Sequence, residues 1–82
     1  MKTMNRNNEP KFVEILEHIG TITEFQTGWT KEINLVSWNG AIPKIDIRDW
    51  SSDHERFTNG CTLYMSEAKV LYEALDKYFN RG

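Results

Sequence analysis

The feature that most constrains the fold is a pair of alternating segments on either side of Asn39-Gly40. In residues 30–38 and 44–50 polar and apolar side chains alternate, which is the two-residue period of a β-strand. Asn and Gly both tolerate a positive φ, so Asn39-Gly40 predicts a tight turn that pairs the two segments. Pro43 bounds the second strand. The sequence therefore predicts an antiparallel hairpin at the centre of the chain.

The alternation divides this hairpin into two faces. Each strand carries an apolar pair on one face, Ile33 with Leu35 and Ile45 with Ile47, and we expect this face to cover the core. Each strand ends with a tryptophan on the opposite face, which we expect to be exposed to solvent. The side chains predicted to share that exposed face are Trp38, Trp50, Arg48, Lys44 and Asn34.

The segment before the hairpin has two interpretations. Phe12, Leu16 and Ile19 have a helical spacing, and local signals slightly favour a helix over residues 11–19. Alternation of side chains also fits a strand, and the strand-like residues 21–25 follow after Gly20 alone. One long strand, bent or bulged at Gly20, is the alternative. A turn is predicted at residues 26–28 in either case.

The C-terminal third predicts a short strand and a helix. Residues 61–64 have the composition of a strand, Ser66 is a good N-cap, and the helix is expected from about Glu67 to Asn80. The apolar arc of this helix is about 200° wide, against roughly 100° for a helix that packs on one core. Either amphipathic tyrosines are partly exposed, or the helix packs on its own sheet and on a second subunit; the pattern favours neither.

Composition limits the classes of protein. A chain of 82 residues with one cysteine predicts a single domain with a small core, without a disulfide framework or a multi-cysteine zinc site. Residues 1–10 contain three Asn and few apolar side chains, so we expect a flexible tail before a domain at 11–82. No apolar run is long enough to cross a bilayer, and no signal-peptide core is present, so we expect a cytoplasmic protein without membrane contact.

The predicted exposed face suggests a binding function. Aromatic rings beside basic and amide groups suit single-stranded nucleic acid, because bases stack on the rings and cations meet the phosphates. Trp29 and Lys31 open the second strand and either extend this face or, for Trp29, cover the edge of the core. Arg56 in the next loop either contacts a phosphate or is a solvated loop charge, which is the commoner case. The net charge of −2 argues against binding by bulk positive charge. The alternative, that Trp38 and Trp50 cover a dimer interface or a second small core, has at least equal support from the pattern alone.

An enzymatic function has little support. Cys61, His18 and His54 are the only thiol and imidazole groups, and no spacing brings them together as a nucleophile pair or a metal site. The five glycines are spread singly, so no glycine-rich phosphate loop is present. We therefore expect no catalytic residues, no metal and no cofactor.

Several stretches resemble the bacterial, YdbC-like branch of the PC4-like family, named after a eukaryotic transcriptional coactivator that binds single-stranded DNA. The most specific are Ile45-Asp46-Ile47-Arg48 and Gly60-Cys61-Thr62-Leu63, and the resemblance extends from about Phe12 to Tyr78. Two positions depart from the family pattern. Asn59 stands where relatives usually have lysine, which removes a positive charge, and Ser52 stands where they usually have proline.

The resemblance implies an α+β fold, with a curved four- to five-stranded antiparallel sheet followed by one long C-terminal helix, and it favours the strand for the first segment. It implies a homodimer that associates through the helices, with Val70, Leu71, Ala74, Leu75 and Tyr78 at the interface. It also implies a nucleoid-associated protein that binds single-stranded DNA and assists the transcription or replication machinery. The residues predicted to bind are Trp38, Trp50, Arg48, Lys44, Lys31, Trp29, Asn34 and Arg56. RNA binding or a protein partner on the same face is the alternative.

Overall fold

The computed structural model of the protein describes residues 12–81. Four strands, β1 (Val13–Glu24), β2 (Thr30–Trp38), β3 (Lys44–Trp50) and β4 (Cys61–Leu63), precede one helix, α1 (Met65–Phe79). The strands form one antiparallel sheet in the order β1-β2-β3-β4. The predicted α+β fold is thus confirmed with four strands. The flexible tail predicted for residues 1–10 lies outside the described residues.

Both predicted hairpin turns are present. Asn39 and Gly40 have φ values of 51° and 78°, and the amide of Ala41 donates to the carbonyl of Trp38 over 2.9 Å. Two positive φ values within a turn closed in this way are the geometry of a type I′ turn, whose twist matches that of paired strands. At the other end of β2, Gly28 has a φ of 93° and donates to the carbonyl of Phe25.

The first segment is a strand, so the helix that local signals favoured is wrong. The pairing of β1 with β2 shifts register at three places, between Ile15 and Glu17, His18 and Gly20, and Thr21 and Thr23. Each shift leaves one extra residue without a partner: Leu16, Ile19 and Ile22. A bulge at every third residue gives apolar side chains a three-residue spacing, which imitates a helix in the sequence.

The buried face of the sheet is the reverse of the one predicted. Asn34, Val36 and Asp46 are fully buried and Trp50 is 2% exposed, whereas the apolar pairs on the other face are only half-buried. The segment 51–60 covers part of the polar face, as the contact of Phe57 with Trp50 shows, and His18 of the neighbouring β1 hydrogen-bonds to Asn34 on the same face. Polar groups can be buried here because they hydrogen-bond to one another.

The helix begins two residues earlier than predicted. Tyr64, not Ser66, is the N-cap, and its amide donates to Oε1 of Glu67 over 2.8 Å. Among the described elements, α1 contacts only β3 and β4, and none of its residues is buried. Within residues 12–81, no helix is both long and apolar enough to cross a membrane.

Candidate nucleic-acid interface

The two predicted tryptophans do meet on one face, and a third ring joins them. Trp50 pairs with Thr30 and Trp38 lies beyond the Val36–Lys44 pair, so the two begin at opposite ends of the hairpin. The ring of Phe57 nevertheless lies 5.5 Å from Trp38 and 5.2 Å from Trp50 between centroids. We call Trp38, Phe57 and Trp50 the aromatic row. Sequence reasoning missed Phe57, whose signal was a single aromatic residue within an otherwise polar loop.

Arg48 is held within a network of buried polar groups. Its guanidinium donates to both carboxylate oxygens of Asp46, at 2.6 and 2.8 Å, and to the carbonyl of Thr58 at 3.0 Å. It also lies 4.8 Å from the ring centroid of Trp38 and 5.5 Å from that of Phe57. The charge of Arg48 is therefore compensated by Asp46, and the side chain supports the aromatic row.

A second network surrounds the carboxylate of Glu32, whose side chain is 6% exposed. Thr30 Oγ1 and Asn34 Nδ2 donate to it over 2.6 and 3.1 Å, and His54 Nε2 lies 2.9 Å from Oε2. Burial alone would raise the pKa of Glu32, but these hydrogen bonds and the charge of His54 together hold it below its ordinary value. Because His18 bonds to Asn34 at 2.8 Å, the network joins β1, β2 and the loop.

The predicted binding residues differ in accessibility. Trp50, Arg48 and Asn34 are buried, which corrects the expectation that they face solvent; Trp38 and Lys44 are half-buried. The physical reason is that the segment 51–60 folds back over this face, where Phe57 contacts Trp38 and Trp50 and the carbonyl of Thr58 accepts from Arg48. Direct contact of a ligand with the three buried residues remains a prediction.

The other predicted residues lie elsewhere. Lys31 Nζ is 2.9 Å from Asp49 Oδ1, and both lie on the face opposite the aromatic row, in register with each other. Arg56 is exposed, with its guanidinium 5.6 Å from the ring of Trp29. The structure therefore does not bring Lys31 onto the face of Trp38 and Trp50.

An open cleft of about 330 Å³ lies beside the aromatic row. Its walls are formed by Phe12, Val13, Ile15, Trp50, His54, Glu55 and Phe57. The indole Nε1 of Trp50 is buried, and no hydrogen-bond acceptor within residues 12–81 reaches it. His54 stacks on Trp50 with an interplanar angle of 27°. An open cleft lined by aromatic rings can accept a flat ring such as a nucleobase.

No cluster of three His, Cys, Asp or Glu side chains within the described part of the chain could hold a metal ion. Cys61 is a free, exposed thiol. The binding features of the sheet are thus aromatic rings and hydrogen-bonding groups.

Comparisons with known proteins agree with this geometry. Residues 25–74 match the family model described as Transcriptional Coactivator p15 (PC4), a range that includes all eight predicted binding residues. A protein of Treponema pallidum (strain Nichols), described as uncharacterized, is 35% identical over 69 residues, which cover 84% of this chain and 81% of that protein. The matched family is a nucleic-acid-binding coactivator family known for single-stranded DNA, not an enzyme family. Because the match covers β2, β3, β4 and the first part of α1, the chain belongs to the PC4 family.

Proposed function

We propose that this protein binds single-stranded DNA without catalysing a reaction, and that it does so on the aromatic row and its cleft. The observation that carries the proposal is the juxtaposition of Trp38, Phe57 and Trp50 with an open cleft. Stacking of a base on an aromatic ring contributes about 1–3 kcal/mol and does not depend on base identity. The protein should therefore bind with little sequence preference, and it should bind duplex poorly because paired bases hide their faces.

We expect the phosphates to be contacted by the cationic side chains that are accessible and not already paired. The charge of Arg48 is compensated by Asp46, so Lys44 is the better candidate beside the aromatic row, and the exposed Arg56 is the better candidate beside Trp29. Lys44 Nζ lies 4.7 Å from the ring of Tyr64, which leaves it at the surface of the sheet. With a net charge of −2 for the chain, we expect modest affinity that falls as salt is added.

We also propose that the functional unit is a homodimer associated through α1. Five helix residues are predicted at the interface. Four of them are large apolar side chains that are exposed in the single chain: Val70 (64%), Leu71 (39%), Leu75 (46%) and Tyr78 (56%). Ala74 lies among them. So much exposed apolar surface on one helix is typical of an interface. We place the protein with the nucleoid in the cytoplasm, as an accessory factor for transcription or replication.

Fluorescence anisotropy with labelled oligo-dT and the matched duplex tests the proposed function. The wild-type chain should bind the single strand with quenching of tryptophan emission, and prefer it over duplex. Trp38→Ala should weaken binding about 5- to 150-fold, the loss of one stacked base. Tyr72→Ala, which removes an exposed ring from the helix, should leave affinity unchanged.

Two results would decide against this proposal. Equal affinity of wild-type and Trp38→Ala protein for oligo-dT would remove the aromatic row as the stacking surface. A clear preference for oligo-U over oligo-dT would indicate RNA, since contacts with the 2′-hydroxyl distinguish RNA from DNA.

A further inference from the structure

A second pair of aromatic side chains lies at the β1–β2 hairpin, away from the aromatic row. The amide of Phe25 donates to the carbonyl of Trp29 over 2.8 Å, so the turn fixes the positions of both residues. Phe25 is 39% exposed and Trp29 is half-buried. They line an open cleft of about 390 Å³ together with Thr27, Asp49 and Thr58. We call this the hairpin cleft; it is an open groove rather than an enclosed cavity.

The charges around the hairpin cleft suit a nucleotide. The guanidinium of Arg56 lies 5.6 Å from the ring centroid of Trp29. The carboxylate of Asp49 is paired with Lys31 at 2.9 Å, so it adds little repulsion toward a phosphate. Asp53, also near Arg56, has its carboxylate occupied by hydrogen bonds from Ser51 and from the amide of Glu55. Arg56 is therefore the cation best placed to meet a phosphate beside a base that stacks on Trp29.

The hairpin cleft and the cleft beside the aromatic row share one loop. His54, Glu55 and Phe57 form part of the first cleft, whereas Thr58 lines the second. Pairing of Phe57 with Trp50, and a hydrogen bond from the amide of Thr58 to the carbonyl of Asp49, hold the loop against the end of β3. Arg56 lies in this loop between Glu55 and Phe57 of the first cleft, and its guanidinium is 5.6 Å from the ring of Trp29 in the second.

We propose that the hairpin cleft is a second nucleotide subsite, in which a base of the same single strand stacks on Trp29 and the adjoining phosphate contacts Arg56. This inference rests on the proposed function and extends it. The primary site accepts a short strand, and the second subsite adds affinity only when the strand is long enough to reach it.

Oligo-dT of two lengths tests the proposal with the full chain. For a long strand of about 16 nucleotides, Trp29→Ala should weaken binding about 5- to 150-fold, the loss of one stacked base. For a short strand of about 4 nucleotides, the same variant should bind as the wild type does. Trp29→Phe keeps an aromatic ring for stacking and should bind the long strand almost as tightly as the wild type does. Tight binding by Trp29→Phe would show that the aromatic ring at position 29 is what the interaction requires. Unchanged binding of the short strand by Trp29→Ala would show that the alanine variant is still folded.

Salt dependence tests the phosphate contact. Arg56→Gln should reduce the slope of log affinity against log salt by about 0.7 for the long strand, the value for one phosphate contact on a single strand. Lys69→Gln, on the exposed helix surface, removes the same charge and should leave the slope unchanged.

Four outcomes would overturn the second subsite, and they are distinguishable. Absence of wild-type binding to either strand would refute the proposed function together with this inference. Unchanged long-strand affinity in Trp29→Ala would refute the inference alone. An equal loss for both lengths would place Trp29 in the primary site. Dissociation of the protein into monomers in Trp29→Ala, measured by light scattering, would show that a second copy of the chain occupies the cleft.

Discussion

A Cβ atom at Gly60 would overlap the carbonyl oxygen of Ile47 and the side chain of Arg48. The chain passes directly over β3 at this point, on its way into β4. Only a residue without a side chain allows this approach, which brings Thr62 to the Asp46–Arg48 pair.

Gly60→Ala should therefore lower the free energy of unfolding by about 1–3 kcal/mol, as overpacking does elsewhere. Gly20→Ala is the matched control, because Gly20 has open space around its Cα and an ordinary φ. Urea unfolding followed by circular dichroism measures both variants. Similar midpoints for Gly60→Ala and Gly20→Ala would contradict the close approach.

Glu32 gives the stability of the protein a dependence on pH. Its pKa is lower in the folded chain than its ordinary value of 4.5, so the folded state favours the ionised carboxylate. The stabilisation that the ionised Glu32 contributes is fully present when the pH is above the ordinary pKa of 4.5, and it is lost as the pH falls through the lower pKa of the folded chain.

Stability should thus decline as the pH is lowered below about 4.5, and Glu32→Gln should decline less steeply over the same range. Urea midpoints measured from neutral pH into this acid range would compare the two. Parallel decline of the wild-type and Gln proteins would assign the acid sensitivity to other carboxylates.

The residue pattern predicted which side chains share a face, but not which face is buried. Alternation placed Trp38, Arg48 and Trp50 together, and the contacts of Phe57 and Arg48 bear this out. It assigned them to solvent because polar residues are usually exposed. The hydrogen bonds that allow the carboxylates of Asp46 and Glu32 to be buried come from residues distant in sequence, such as Thr62 and His54. Because these partners are not neighbours in the chain, the local pattern of side chains could not reveal them.

At the scale of elements, β1 shows why the period of a pattern can mislead. Three register shifts within twelve residues change a two-residue alternation into a spacing of three at Leu16, Ile19 and Ile22. These side chains are 44%, 49% and 50% exposed. The bend predicted at Gly20 coincides with one of the shifts, between His18 and Gly20. The other two carry no Gly or Pro, so only the pairing with β2 reveals them.

The loop between β3 and β4 depends on Phe57, which pairs with Trp50 and contacts Trp38. Phe57→Ala should release the loop, expose both tryptophans and shift their emission to longer wavelength. Phe79→Ala, which removes a ring that is 73% exposed, is the control and should leave emission unchanged. Unshifted emission in Phe57→Ala would show that the sheet alone encloses the tryptophans.

At the scale of the whole molecule, the described chain leaves its two layers incompletely packed. Residues of α1 are nowhere buried, and Ile33, Leu35, Ile45 and Ile47 of the sheet are half-buried. A small domain gains much of its stability from buried apolar area, so this surface is costly if it stays in water. A second copy of the chain that packs its helix here would cover it without disturbing the face that carries the aromatic row.

Leu71→Glu places a carboxylate in the centre of the proposed helix interface, so it should convert the dimer to a monomer in light scattering. Lys69→Glu introduces the same carboxylate outside the predicted interface residues and should leave the protein dimeric. The melting temperature of the wild type should rise with protein concentration, as it does when association stabilises the folded state, and that of Leu71→Glu should not. The separated chains should also bind a long oligo-dT more weakly, because two linked sites bind one strand with higher avidity than one site. A monomeric wild-type protein, or a Leu71→Glu variant that remains dimeric, would mean that the apolar helix surface has a role other than dimerisation.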